Sequence, residues 1–171
     1  MSKVGALLAA EGLACIRGER MLWRDISLTL APGDAVMLAG ANGIGKSSLI
    51  RILGGLLPPA AGTVERHART ALVDECHALD AHLPLARALG QWAAIDGTGT
   101  AGVHAAMDRL GIAHLAEVPP RYFSTGQKKR AALARLIASD APLWLLDEPA
   151  NGLDRDGVAL IEALIAAHRA A

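Results

Sequence analysis

The spacing of apolar and polar residues along the chain predicts a mixture of strands and helices. Residues 7–30 hold short alternating apolar stretches broken by a charged turn at 17–20, which is typical of a small antiparallel sheet. Val36–Ala39 and Leu143–Leu146 are apolar runs too short for helices, so both are predicted to be buried strands. Strands are therefore expected toward both ends of the chain.

Other segments place their apolar residues at helical spacing. Lys46–Leu53 and Gln127–Ala138 each carry leucine and isoleucine on one stripe, and Asp156–Arg169 is amphipathic in the same way. A further helix is predicted to start where Thr100 caps it. Because strands alternate with helices, the pattern favours an α/β fold with a parallel sheet, to which a helix-rich middle is attached as a subdomain.

The composition of the chain excludes several classes of partner and of segment. Lys plus Arg and Asp plus Glu number 17 each, so no overall charge attracts nucleic acid or anionic lipid. One Tyr and one Phe are too few for a platform on which bases stack, and no nucleic-acid partner is expected. Cys15 and Cys76 predict reduced thiols rather than a disulfide framework. No apolar run approaches a membrane span, and Glu11 interrupts the apolar start too early for a signal peptide.

Residues 40–47 fit the phosphate-loop pattern G-x-x-x-x-G-K-[ST] and lie between a predicted strand and a predicted helix. Glycines let such a loop curl so that its amides converge on phosphate oxygens, and the helix start adds positive charge. Lys46 is expected to bind the β- and γ-phosphates, and the Ser47 hydroxyl is expected to bind Mg²⁺. The alternative is a glycine-rich turn that matches by chance. The predicted nucleotide-binding residues are Gly40, Ala41, Asn42, Gly43, Ile44, Gly45, Lys46, Ser47 and Ser48.

Two acids follow the second predicted strand. The carboxyl ends of parallel strands face the ligand crevice, so Asp147 and Glu148 are expected beside the phosphate loop. Successive strand residues point in different directions, so Asp147 is expected to hold Mg²⁺ while Glu148 orients and polarises the attacking water. An ordinary acidic turn is the alternative. Glu148 and Lys46 are the predicted catalytic residues.

The segment 123–127, Phe-Ser-Thr-Gly-Gln, resembles the Leu-Ser-Gly-Gly-Gln signature of the ATP-binding cassette (ABC) family. Thr125 stands in place of the first glycine. The resemblance implies that Ser124, Gly126 and Gln127 reach the γ-phosphate of ATP bound to a second copy of the chain. Two ATP molecules would then join two copies head to tail. The alternative interpretation is a simple helix cap with a basic, solvated first turn.

Two more positions are similar to family sites. Asn151-Gly152-Leu153-Asp154 resembles the loop after the second acid, which implies that Asp154 contacts the nucleotide site. Arg17 stands where many cassettes place an aromatic residue that stacks on adenine, and a guanidinium plane can stack in the same way.

The resemblance covers about residues 7–169 and implies a P-loop NTPase three-layer α/β sandwich, with a small N-terminal antiparallel β subdomain and an inserted helical subdomain. We expect a single nucleotide-binding domain over 1–171. Its core would be 1–76 and 140–171, and its helical subdomain about 77–139.

A narrower resemblance is carried by the short helical middle and by the runs 141–144 and 153–158, which are similar to ATPase subunits of bacterial haem exporters of cytochrome c maturation. It implies ATP and Mg²⁺ as ligands, integral-membrane permease partners, and a peripheral position on the cytoplasmic face of the bacterial inner membrane. The alternatives are the ATPase of another ABC exporter, a non-transport cassette acting as an ATP-gated clamp, and a degenerate nucleotide binder without turnover.

The sequence departs from the family pattern at two places. Where the family has a glutamine after the strand at 71–73, Glu75 or Cys76 occupies that place. Cys76, His77 and His82 together suggest a metal or haem site, but a surface loop with incidental histidines is the expected interpretation.

The second departure concerns the family's switch histidine, which follows a final strand. His168 instead falls on the last predicted helix. We therefore expect a chain truncated before that strand, in which ATP hydrolysis is weak.

Overall fold

The structure, a computed structural model, describes residues 5–74 and 78–171. The chain divides into two compact units. One unit is the chain up to Thr70 together with Glu162–Ala171, and the other is Ala71–Ile161. The phosphate-loop residues fall in the first unit, while the acid pair and the signature-like segment fall in the second.

The first unit is built on an antiparallel sheet in the order β2-β1-β3. Strand β1 (Leu8–Arg17) lies in the middle, between β2 (Arg20–Leu30) and β3 (Ala61–Arg66). Gly18, with a φ of 61°, follows β1 in the tight turn to β2, as expected where glycine comes first in a two-residue hairpin loop. The small antiparallel sheet predicted for 7–30 is confirmed.

Helix α1 (Lys46–Leu53) follows the phosphate loop and packs against β1. It begins after Gly45 and ends at Gly54, so the predicted bounds are confirmed. One apolar stripe of this helix is buried, and that stripe fixes the direction in which the helix leaves the loop. Its members are Leu49, Ile50, Ile52 and Leu53.

The strand predicted at Val36–Ala39 is wrong. The segment has no strand structure, and Val36 and Met37 are 56% and 89% exposed. A strand is buried only when neighbouring strands pair with it, and the sheets described for residues 5–74 and 78–171 do not contain this segment. The apolar run alone was therefore insufficient to specify a buried strand.

Strands β4 (Thr70–Val73) and β5 (Leu143–Leu146) pair with each other although a long helical connection separates them in sequence. The strand predicted at 143–146 is thus confirmed. The connection contains α2 (Leu85–Asp96), α3 (Thr100–Arg109) and α4 (Thr125–Ala138), and these helices pack on one another. Two short 3₁₀ turns, Ala113–Leu115 and Pro120–Tyr122, lie between α3 and α4. The middle of the chain is helical, as predicted.

The helix at Thr100 differs from its prediction by one residue. Gly99, with a φ of 75°, is the N-cap, and Thr100 is the first helical residue and makes no side-chain cap. Glycine takes that backbone conformation at low cost, so it displaces the expected threonine. The last helix, α5 (Arg155–Arg169), begins one residue earlier than predicted. Among the described residues, none of the helices is both long and apolar enough to cross a bilayer.

Candidate functional site

The phosphate loop of the first unit turns on three left-handed glycines. Gly40, Gly43 and Gly45 have φ values of 150°, 79° and 101°. The ammonium of Lys46 donates hydrogen bonds to the carbonyl oxygens of Gly40 at 2.8 Å and Ala41 at 3.1 Å. Lys46 therefore reaches back across the loop to its start, which keeps its charge over the peptide groups that would surround a phosphate.

The rest of the predicted loop set lies around this cradle. Asn42 and Ile44 are exposed on the loop, and the amide of Ile44 donates to Ala41 O at 3.4 Å. Ser47 and Ser48 are half-buried in the first turn of α1. The structure thus brings the predicted phosphate residues together at the positive end of a helix.

Trp23 supports the loop from β2 and was missed by sequence reasoning. Its indole Nε1 donates to the Gly45 carbonyl at 3.3 Å. A Cβ atom added at Gly45 would lie 2.6 Å from that nitrogen and 2.9 Å from a methyl of Leu22. Gly45 is therefore required for two reasons, a left-handed backbone and the closeness of the indole.

Replacing Gly45 by alanine is expected to destabilise the first unit more than the same change at Gly43. Both positions have positive φ, but a Cβ at Gly43 meets nothing within 4 Å. The difference isolates the clash with Trp23 and Leu22, which we expect to cost about 1–3 kcal/mol of unfolding free energy beyond the shared backbone strain. Chemical denaturation of both variants measures it. Equal destabilisation would show that the indole yields freely.

Arg17 is the last residue of β1 and is exposed opposite Arg20 across the hairpin. Its side chain is therefore accessible to a planar ligand. Adenine stacking at Arg17 stays a prediction.

The acid pair of the second unit has two distinct environments. Asp147 is only 9% exposed, and its amide donates to the Val73 carbonyl at 2.9 Å, which holds the residue at the end of the β4-β5 pair. Glu148 is exposed and takes a φ of 47°, rare for a residue with a side chain. The two acids thus differ in burial and in backbone conformation. The separate roles predicted for them stay predictions.

The turn after the acid pair is held by a lysine of α4. The ammonium of Lys129 donates to the Glu148 carbonyl at 3.5 Å and to the Asn151 carbonyl. The side-chain amide of Asn151 donates to the Glu148 carboxylate at 3.2 Å. Sequence reasoning assigned no role to Lys129, since it treated the basic run 128–130 only as a solvated first turn.

A cavity of about 270 Å³ borders these groups within the second unit. It has room for several water molecules, and charged or polar groups line part of it. The lining includes Asp74, Thr125, Lys129, Asp147, Glu148 and Asn151.

The signature-like segment forms the start of α4. Ser124 is the N-cap: its hydroxyl oxygen accepts from the Gln127 amide at 3.3 Å, and the Gln127 side-chain oxygen accepts from the Ser124 amide at 2.9 Å. The capping alternative thus describes what the isolated chain does. It leaves the hydroxyl proton of Ser124 available to another acceptor. Gly126 lies in the first helical turn and has open space where a Cβ would stand.

Asp154 caps the next helix. Its carboxylate accepts from the Gly157 amide at 2.8 Å, and its carbonyl accepts from the Val158 amide at 3.0 Å, which places it at the N-terminus of α5. The nucleotide contact predicted for Asp154 remains a prediction.

Arg135 is a half-buried cation that sequence reasoning also missed. Its guanidinium donates to the Leu72 carbonyl and stacks over Trp92 at 4.6 Å. Burial lowers the pKa of Arg135 from its ordinary value, while the Asp96 and Asp74 carboxylates raise it. Arg135 thereby ties α4 and α2 to β4, the strand that leads into residues 74–77.

The two departures from the family pattern are only partly visible. Glu75, Cys76 and His77 lie outside the described residues, so the residue in the glutamine's place and the expected surface loop with incidental histidines stay predictions. His82 Nδ1 accepts from the Arg121 guanidinium at 2.8 Å, because arginine can only donate. His168 lies on α5, as predicted.

Comparison of the sequence with known proteins gives consistent matches. The sequence pattern of a family described as "ABC transporter" matches residues 23–151. A protein of Sphingopyxis alaskensis is 55% identical over 164 residues, covering 96% of this chain and 84% of that protein. A protein of Zymomonas mobilis is 50% identical over 164 residues, covering 96% and 74% respectively. Both are named "Cytochrome c biogenesis ATP-binding export protein CcmA".

Solved structures match as well. A metal-chelate type ABC transporter in an inward-facing conformation superposes with a TM-score of 0.80 at 23% identity, covering 98% of this chain and 70% of that one. The protein cbiO1 of Clostridium perfringens, part of the transporter complex cbiONQ, gives 0.77 at 26% identity, covering 97% and 74%. The predicted fold class is therefore confirmed: the chain shares the α/β fold of these proteins.

Proposed function

The chain belongs to the family of ABC transporters, and from that membership we propose that it is the ATP-binding and ATP-hydrolysing subunit of a bacterial exporter serving cytochrome c biogenesis. The observation that carries the proposal is the 55% identity, over 96% of the chain, with a protein named for that role. The narrower sequence resemblance to haem-exporter subunits supports haem handling as the process that ATP drives.

The phosphate loop supplies the binding half of the chemistry. In the proposed complex the amides of residues 40–47 and the start of α1 face the phosphates of ATP. Lys46 exchanges its bonds to the Gly40 and Ala41 carbonyls for bonds to the β- and γ-phosphates. The left-handed glycines support this role, because they let the peptide groups curl toward a single point.

The donor chemistry fits magnesium. Mg²⁺ takes oxygen ligands, and the chain offers the Ser47 hydroxyl in the first turn of α1 and the buried Asp147 carboxylate. These two residues would hold the ion with the phosphates. A bound magnesium ion neutralises negative charge on the phosphate oxygens.

Glu148 is proposed to accept a hydrogen bond from the attacking water and to orient it. Its exposure leaves the carboxylate accessible, and its hydrogen bond from Asn151 limits the directions in which it points. The different environments of Asp147 and Glu148 support a division of roles between holding the metal and polarising water.

The proposed assembly is a head-to-tail dimer on integral-membrane permease subunits at the cytoplasmic face of the inner membrane. In that dimer Ser124, Gly126 and Gln127 reach the γ-phosphate held by the other copy, and Asp154 contacts the nucleotide site. The Ser124 hydroxyl proton and the N-terminus of α4 support an anion contact there.

Deleting the gene is expected to abolish c-type cytochromes while b-type cytochromes persist, because only c-type maturation needs the exporter. Haem staining of membrane proteins measures the outcome, with complementation by the wild-type gene and by its Glu148→Gln variant. The wild-type gene should restore staining and the variant should not. Normal c-type staining in the deletion strain would reject the cytochrome role, even if the purified protein hydrolyses ATP.

A further inference from the structure

The turn that carries Glu148 is held by hydrogen bonds within the turn and by hydrogen bonds from α4. Within the turn, the backbone amide of Asn151 donates to the Glu148 carbonyl at 3.1 Å. The side-chain amide of Asn151 donates to the Glu148 carboxylate at 3.2 Å. Glu148 itself has a left-handed backbone, which persists only where surrounding contacts hold it. The direction of this carboxylate thus depends on where Asn151 lies.

The outside fastening comes from the helix that begins at the signature-like segment. Lys129 lies on α4, and its ammonium donates to the carbonyls of both Glu148 and Asn151. A single cation thus bridges the two ends of the turn. Hydrogen bonds from one side chain of α4 thereby join the helix that begins after Ser124 to the turn that carries Glu148.

The turn at 148–151 and Lys129 border a cavity of the second unit. Lys129, Asn151 and Glu148 all line the cavity of about 270 Å³, together with the buried carboxylate of Asp147. That cavity has room for several waters, so the carboxylate that accepts a hydrogen bond from Asn151 borders a volume that water can enter. Displacing the turn would move the carboxylate relative to that volume.

We propose that Lys129 is a positioning residue for ATP hydrolysis. It holds the backbone of the turn at 148–151, and this turn holds the Asn151 side-chain amide, which fixes the direction of the Glu148 carboxylate. This inference rests on the proposed function, in which Glu148 orients the attacking water. Lys129 contributes to turnover and not to ATP affinity, because its bonds go to the turn.

Lys129→Met in the full-length protein is expected to lower kcat on the order of 10- to 100-fold with the KM for ATP unchanged, since small misplacements of a catalytic group have effects of this size. Lys129→Arg keeps a cationic donor and should recover most of kcat. Lys128→Met removes the same charge one residue away and should leave kcat unchanged. Steady-state ATPase assays measure all of these.

A double-mutant cycle tests the route. If Lys129 acts through Glu148, adding Lys129→Met to Glu148→Gln should cause no further loss in single-turnover hydrolysis. Asn151→Ala leaves the Lys129 bonds to backbone carbonyls in place and should lower kcat by itself. Adding Asn151→Ala to Glu148→Gln should likewise cause no further loss. A multiplicative loss in either double variant would overturn the inference.

The two levels of the proposal fail differently. Undiminished turnover in Glu148→Gln would remove the proposed catalytic role and this inference with it. Slow turnover in Glu148→Gln combined with wild-type kcat in Lys129→Met would overturn the positioning role alone. A Lys129→Met variant that loses stability but keeps kcat would show that Lys129 only stabilises the fold, and this result would also overturn the positioning role.

Discussion

Replacing Lys46 by alanine is expected to weaken the binding of Mg-ATP by about 100-fold, the effect of losing charged hydrogen bonds to phosphate. The ammonium now lies over the loop, bonded to Gly40 and Ala41 carbonyls at 2.8 and 3.1 Å, and so is already directed at the place where the phosphates would bind. Isothermal titration with Mg-ATP measures the change.

One control variant and one stability measurement separate the loss of the Lys46 charge from a change in loop shape. Arg24→Ala removes a positive charge from an exposed position on β2 in the same unit and should leave ATP affinity unchanged. Since Lys46 also fastens the loop, Lys46→Ala should lower the unfolding free energy too, by about 1 kcal/mol per hydrogen bond lost. Unchanged ATP affinity in Lys46→Ala would reject phosphate binding by this loop, whatever the stability.

Local signals predicted some elements to the residue. Helix α1 begins and ends where Gly45 and Gly54 flank its apolar stripe, and each of these signals lies directly beside the helix end that it marks. The signature-like segment forms a capping box, because Ser124 and Gln127 stand at the required spacing, although the helix predicted from Gln127 begins at Thr125. Structure that a short stretch of chain determines was therefore predictable.

Non-local structure was not predictable in the same way. The run at Val36–Ala39 is apolar enough for a buried strand, yet Met37 is 89% exposed, because strand formation depends on partners elsewhere in the chain. The contacts of Trp23 with Gly45 and of Arg135 with Leu72 join residues far apart in sequence. No periodicity encodes such contacts.

The candidate site shows the same division. Residue types and spacing predicted a phosphate-binding loop at 40–47 and a pair of functional acids at 147–148. They did not predict that Glu148 would take a left-handed backbone or that Asn151 would bond its carboxylate, since both depend on the shape of the turn. The sequence therefore supplied the residues that we propose for the chemistry, and the structure adds the hydrogen bond from Asn151 to one of them.

Glu148→Gln is expected to lower the rate of ATP hydrolysis by about 10²- to 10⁴-fold, the usual contribution of a general base, while ATP binding persists. The amide is similar in shape to the carboxylate, and its oxygen can still accept the hydrogen bond from Asn151. The variant therefore retains the turn and loses the basic group. Glu117→Gln, the same change at an exposed acid of the same unit, should hydrolyse ATP at the wild-type rate.

The same variant also tests the proposed dimer. If hydrolysis is what separates two chains held together by ATP, Glu148→Gln should accumulate as a dimer in Mg-ATP and remain monomeric in Mg-ADP. Size-exclusion chromatography with light scattering measures both states. Wild-type turnover in Glu148→Gln would contradict the catalytic role. Slow turnover without a dimer would instead contradict the ATP-bridged contact through Ser124 and Gly126, because a trapped nucleotide would then join nothing.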